Sequence, residues 1–277
     1  MKEVKFASDT KSEDQDEELS PEKAAQLYEE GGFYIVKDLP VGTEFGCDMK
    51  SWNTGAKFLG LKMIPKGIHY IHYSPVSKDK DVAPRRGFFI HLDAKQVIVH
   101  RFNVKTEEIV DDVPHEDVER LESNLKTIDG HLGAYPHQSW SKWVCLTNRL
   151  DIAAVRRYQT PVGDNPLDVE HKFTEVPRQK YPDGASAAEI TAHSLDSSHQ
   201  LDTWLRAAGH DAVEAVLAEL QLAFVLFLVG QDHDSFSQWK LVVDMLCGCR
   251  RALLKYPAFF KSFINDLHFQ VKDFSRV

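Results

Sequence analysis

The sequence predicts an α+β protein: an antiparallel β-sandwich or open-barrel domain first, then an all-α helical bundle. Three observations predict it. Short runs rich in aromatic and β-branched residues, parted by polar turns, fill residues 33–102. Pro161, Pro166, Pro177 and Pro182 then break the pattern. From Ser186 onward, capped stretches with apolar residues three and four apart read as helices. The boundaries drawn from this are an acidic leader at 1–19, a β-rich domain with flanking helices at 20–160, a linker at 161–182, and a helical domain at 183–277.

Residues 1–19 carry seven carboxylates against three lysines, a net of −4. Such a segment buries too little apolar surface to offset its ordering entropy, so disorder is expected. Ser20-Pro21 caps and opens a short helix that Gly31-Gly32 ends. Strands are expected at Phe33–Val36, Phe58–Ile64, Ile68–Tyr73, Gly87–Leu92 and Gln96–Phe102. Pro65-Lys66-Gly67 has the residues of a tight turn, so the second and third of these read as a hairpin; Asp93-Ala94-Lys95 makes a second hairpin of the last two. Polar residues at 77–85 form a loop. Val118, Leu121, Leu125 and Ile128 place a helix over Pro114–Ile128, and another covers Ser139 to about Leu150.

The linker admits one returning strand at Lys172–Val176. Beyond it, Ser186 with Glu189 forms a capping box, and Asp211 with Glu214 opens the next helix in a similar way. That helix is apolar on nearly all sides after Leu220 and belongs at the centre of the bundle. A helix from about Asp234 turns Phe236, Trp239, Val243 and Leu246 inward; one from about Pro257 does so with Phe260, Phe263, Ile264 and Leu267. The chain stops at Val277 directly after that helix, and the expectation is a helical domain cut short.

Composition excludes several classes. The 277 residues are 43% hydrophobic and 27% charged, the balance of a globular protein with no need of cross-links. A net charge of −9 opposes phosphate backbones, so direct nucleic-acid binding is not expected. Cys47, Cys145, Cys247 and Cys249 are too scattered for a disulfide framework and fit a reducing compartment. No signal peptide opens the chain, and the apolar run Leu222–Val229 is too short for a membrane span.

No catalytic motif is present: neither a phosphate-binding glycine loop, nor G-x-S-x-G, nor H-E-x-x-H. The expected answers are therefore no enzyme, no cofactor and no metal. His69 and His72, three apart in a strand, point to opposite faces; His91 and His100 fall on strands that can meet; Asp232-His233-Asp234 reads as a helix cap. Residues 139–150 (SWSKWVCLTNRL) carry two tryptophans and an arginine. They either pack between the two domains or form a partner surface, where Trp and Arg are over-represented.

One resemblance runs through the chain. GTEFG at 42–46, Ser51-Trp52, Lys57-Phe58, KMIP at 62–65, GIH at 67–69, GFF at 87–89, LGAYP at 132–136, Lys142-Trp143 and LTN at 146–148 are similar to the N-terminal domain of the a-one cistron splicing factor (Aar-two) family. PDGASAAEITAHSLD at 182–196, ELQLAFVLFLVG at 219–230, Phe236, Trp239-Lys240 and Leu246-Cys247 resemble its helical domain. The resemblance implies a β-sandwich followed by a VHS-like bundle. It also implies a U5 snRNP assembly factor that binds the RNase H-like and Jab/MPN-like domains of the large spliceosomal scaffold protein, holding off helicase and RNA until the particle matures. A monomer when free, in cytoplasm and nucleus, goes with that role. Candidate partner contacts are Trp143, Thr147, Asn148, Arg149, Trp52 and Lys57. The alternative is an α-helical peptide-binding adaptor of VHS or repeat type.

Overall fold

Two sheets face each other in the N-terminal half, in a computed structural model that describes residues 21–75, 83–209 and 211–274. The acidic leader, the Ser20 cap, most of the polar loop at 77–85 and the end at Val277 lie outside the described residues. After α1 (Pro21–Glu30) come β1 (Gly32–Lys37), β2 (Glu44–Cys47), β3 (Lys50–Asn53), β4 (Gly60–Ile64), β5 (Gly67–Ser74), β6 (Arg86–Leu92), β7 (Val97–Asn103) and β8 (Glu108–Val110). Then follow α2 (His115–Ser123), α3 (Leu125–Ile128) and a short β9 (Leu132–Ala134). One sheet is ordered β3-β2-β5-β6 and the other β8-β7-β1-β4-β9. The α+β class, with strands before helices, is as the sequence predicts.

The strand partners are not. The segments on either side of Pro65-Lys66-Gly67 do not form a hairpin: β4 pairs with β1 and β9, whereas β5 pairs with β2 and β6. The link is a corner between sheets, and Gly67 sits there at φ +141, open only to glycine. Likewise β6 and β7, joined by residues 93–96, lie in opposite sheets. The β1–β7 and β4–β9 pairings are parallel, so the five-stranded sheet is mixed and only the four-stranded one is antiparallel throughout. Where β1 crosses β4 the backbones nearly touch: a Cβ on Gly60 would lie 2.0 Å from the Tyr34 carbonyl oxygen.

The helix expected over 114–128 breaks at Asn124 into α2 and α3, and its Val118, Leu121, Leu125 and Ile128 cover Phe33, Ile35 and Val99 on the outer face of the five-stranded sheet. Next, α4 (Trp140–Thr147) leads to α5 (Ile152–Arg157), which Asp151 caps by accepting from the Ala154 N–H at 2.7 Å. Instead of a strand at 172–176, the chain returns as a ribbon, β10 (Gln159–Val162) and β11 (Asn165–His171). Pro161 and Pro166 are tolerated because a two-stranded ribbon leaves alternate N–H positions unpaired.

The remaining helices are α6 (Ala187–Ser194), α7 (Ser198–Ala208), α8 (Ala212–Leu228), α9 (His233–Cys247), α10 (Ala252–Lys255) and α11 (Pro257–Phe274). The Ser186–Glu189 capping box forms as expected. Asp211 makes no side-chain cap bond, and Glu214 turns instead to Arg149. Every residue of α8 from Val216 to Leu226 is buried. On α11, Phe260 and Phe263 face inward, but Ile264 is 60% exposed and Phe259 takes the inward place. None of the described helices is long and apolar enough to cross a membrane.

Alternation along β5 joins these parts. Ile71 and Tyr73 point into the sandwich core with Phe45 and Phe102. Ile68 and Tyr70, with Phe89 of β6, point the other way into one core with Trp143, Leu217 and Phe224. The bundle is thus seated on the back of the four-stranded sheet.

Candidate protein-binding surface

Two of the six predicted contacts are closed to any partner. Trp143 has no exposed surface, and its indole Nε1–H donates to the Ile68 carbonyl at 2.8 Å across the sheet–bundle core. Thr147, also buried, bonds back to the Trp143 carbonyl. Asn148 and Arg149 end α4 as a clamp. Asn148 Oδ1 accepts from Gln221 Nε2 at 2.8 Å, while the Arg149 N–H donates to Gln221 Oε1 at 3.0 Å. Arg149 Nε reaches Asp266 on α11, and its Nη1 reaches Glu214 on α8, each at 2.7 Å. Burial raises the Asp266 carboxyl above its usual range, and Arg149 only partly offsets this. Of the two readings of residues 139–150, packing describes Trp143, Thr147 and Arg149, which form the joint of α4, α8 and α11.

Trp52 and Lys57 lie elsewhere and are exposed. The sandwich has two open sides, where the sheet edges face each other. On one, β11 lies against both β6 and β8, with Leu167 packed on the sandwich core and Asn165 Nδ2 donating to the Ile109 carbonyl at 3.0 Å. On the other side, between β3 and β9, is an open apolar cavity of about 260 Å³. Phe45, Trp52, Phe58, Leu61, Gly133 and Ala134 line it. In register, Phe45 faces Trp52 and Cys47 faces Lys50. Since Phe45 and Cys47 are wholly buried, Trp52 and Lys50 share their inward face, yet Trp52 stays 40% exposed because β3 is the last strand. Neither Lys50 nor Lys57 is ion-paired with any described residue. Sequence reasoning singled out Trp52, which lines the cavity, and Lys57, which does not, and missed the other walls. Gly133 and Ala134 come from a three-residue strand some 70 positions on, whose one signal was the LGAYP match.

A polar cleft of about 320 Å³ lies between β5, β6, β11 and the α8–α9 turn. Burial holds two of its groups neutral: Tyr73 is pushed up to about 12, and His171 down to about 4. Tyr70, Tyr73, Asp168, Glu170, His171 and Asp232 are among its lining residues, and none of the lining residues is Ser, Thr or Cys. Cys47, Asp48 and His69 gather a thiol, a carboxylate and an imidazole within 4.8 Å, a possible metal set. Hydrogen bonds engage the carboxylate and the imidazole. Asp48 Oδ2 accepts from His69 Nδ1 at 2.7 Å and from the Tyr135 hydroxyl at 2.6 Å, and Oδ1 accepts from the Tyr70 N–H at 2.8 Å. The other His69 nitrogen faces the Pro65 carbonyl at 2.7 Å. His91 and His100, on opposite sheets, do not meet; His100 pairs with the Tyr34 hydroxyl. Asp232 caps α9 by accepting from the Asp234 N–H, as expected.

Two family models match the chain in succession: AAR2 N-terminal domain over residues 30–160, and AAR2 C-terminal repeat region over residues 173–277. The chain is also similar to curated proteins named Protein AAR2 homolog. That of Homo sapiens is 34% identical over 302 residues, 92% of this chain and 79% of the relative. That of Mus musculus is 36% identical over the same spans, and that of Caenorhabditis elegans 31% over 300 residues, 92% of this chain and 82% of the relative.

Proposed function

This chain belongs to the AAR2 family, and from that premise we propose that it is a pre-mRNA splicing factor acting in U5 snRNP assembly. It binds the large spliceosomal scaffold protein through the RNase H-like and Jab/MPN-like domains and keeps helicase and RNA away until the particle matures. Its action is binding and blocking, with no reaction catalysed, as a monomer when free and in cytoplasm and nucleus. The observation that carries this is the match of both family domains, in order, along one chain. The net charge of −9 supports a protein partner over RNA, because it repels phosphate and steers a basic protein surface.

Calorimetric titration of the scaffold's purified RNase H-like domain into this protein tests the proposal. A one-to-one complex without nucleic acid is expected, weakened by added salt. No heat of binding at tens of micromolar, roughly −6 kcal/mol, rejects it. The adaptor alternative has one observation in its favour, an open cleft of about 500 Å³ between α7, α8 and α10 lined by Asp202, Leu205, Arg206, Val213, Lys255 and Tyr256. If Val213→Trp, which obstructs that cleft, removes scaffold binding while the fold persists, the cleft and not the sandwich is the contact.

A further inference from the structure

We propose that the open side of the sandwich, between β3 and β9, takes an extended segment of a partner protein as an added strand, with a large apolar side chain and an acidic one two residues apart. The proposal rests on the reading of this chain as a protein-binding factor and adds where and what it binds.

The molecule supplies a precedent. Its other open side is covered by β11, which is hydrogen-bonded as a strand to β10 alone but lies against β6 and β8, with Leu167 packed on the core and Asn165 Nδ2 donating to the Ile109 carbonyl. At β3 the same need is unmet. All four of its residues are exposed, and an edge strand presents a row of unpaired N–H and C=O groups. Beneath it the cavity of about 260 Å³ has room for one large apolar side chain among Phe45, Trp52, Phe58 and Leu61.

Charge selects the occupant. Lys50 and Trp52 are two apart on one strand and share its inward face. An inward lysine at an edge penalises a wholly apolar strand, because adding one would bury an unpaired ammonium. A strand that brings a carboxylate opposite Lys50 and an apolar side chain opposite Trp52 satisfies both. Cross-strand neighbours keep a spacing of two, so the fitting sequence reads apolar–x–acidic, in either direction along the chain. Lys57, on the loop after β3, adds attraction for further acidic residues.

The test is selection of a displayed random dodecamer library on the full 277-residue chain, followed by calorimetry of the enriched peptides. Enrichment of an aromatic or aliphatic residue two positions from Asp or Glu is expected. Trp52→Ala and Lys50→Glu should each weaken binding about tenfold, and Ala134→Phe, which fills the cavity, should abolish it. A peptide with its acid changed to lysine should recover affinity for Lys50→Glu, which no folding defect explains. No enrichment, enrichment without the spacing, or binding indifferent to Trp52→Ala and Ala134→Phe overturns the proposal. The same variants titrated with the RNase H-like domain separate the two claims. Peptides selected as described with no scaffold binding by wild type would reject the scaffold and keep the groove. Equal scaffold binding by wild type and Ala134→Phe, without peptide selection, would reject the groove and keep the scaffold.

Discussion

The Trp143 indole is the largest fully buried side chain among the described residues and holds its one N–H against the sheet. Trp143→Ala should cost about 3–5 kcal/mol of stability, through cavity and lost transfer energy. Trp143→Phe keeps most of the packing but orphans the Ile68 carbonyl, and should cost about 1–3 kcal/mol. Urea unfolding followed by circular dichroism ranks the two. A similar test applies to Asp48, where Tyr135→Phe removes one of three donors and should cost about 1–2 kcal/mol, read from the same curves. Sequence reading left Trp143 between core and contact. The residue type fits both, and the distinction depends on a carbonyl 75 positions away.

Among elements, the α4–α8–α11 joint depends on one buried ion pair. Asp266 is 1% exposed, and its Oδ1 has no partner. Arg149→Ala should therefore cost about 3–5 kcal/mol by stranding that carboxylate, whereas Arg149→Leu with Asp266→Leu should recover most of the loss. Thermal melts of the single and double variants decide it; equal losses would show that the arginine packs rather than pairs. Five of the eleven described strands and most of the long helices were readable in the sequence, since period and caps are local properties. Their partners were not. Pro65-Lys66-Gly67 and residues 93–96 have the chemistry of hairpin turns, and the same chemistry serves a corner between two sheets. Nothing within ten residues tells these apart, because the choice is made by β1, which sits between β4 and β7. Pro161 and Pro166 hid a ribbon for the related reason that they break a central strand and spare an isolated pair. The candidate groove was half readable: both walls, Trp52 and the β9 residues Gly133 and Ala134, lie in matched stretches, but only the fold brings them together.

For the whole molecule, acid should be the sensitive axis. Burial lowers His72, His100 and His171 to about 4. Unfolded, each titrates near 6.5, so between about pH 6.5 and 4 the unfolded chain binds protons that the folded one refuses. Their neutral burial is fully compatible with folding above pH 6.5, and stability falls as pH drops, by up to about 1.4 kcal/mol per unit for each histidine. Urea midpoints measured from about pH 7.5 down to 4.5 should fall accordingly, and His100→Gln should flatten the slope. The sheet also depends on the bundle. A fragment of residues 21–160 keeps Trp143 but removes Leu217 and Phe224 from the core that Ile68, Tyr70 and Phe89 share, so it should bind a hydrophobic dye and lose the sharp transition of the full chain.

The crossed order of the strands also sets a timetable for synthesis. β1 leaves the ribosome early, yet one neighbour is β4, another is β7 some 60 residues later, and β4 itself waits for β9 at residue 132. The Tyr135 hydroxyl then reaches back 87 positions to Asp48, and Arg149 must await Asp266, 117 positions ahead. At ordinary elongation rates the hundred residues between β1 and β9 take roughly 5–20 s, during which apolar strand edges stand open. A nascent chain with that schedule should be prone to aggregate until β9 is made, which ribosome-bound truncations ending before and after residue 134 would show as a loss of hydrophobic-dye binding.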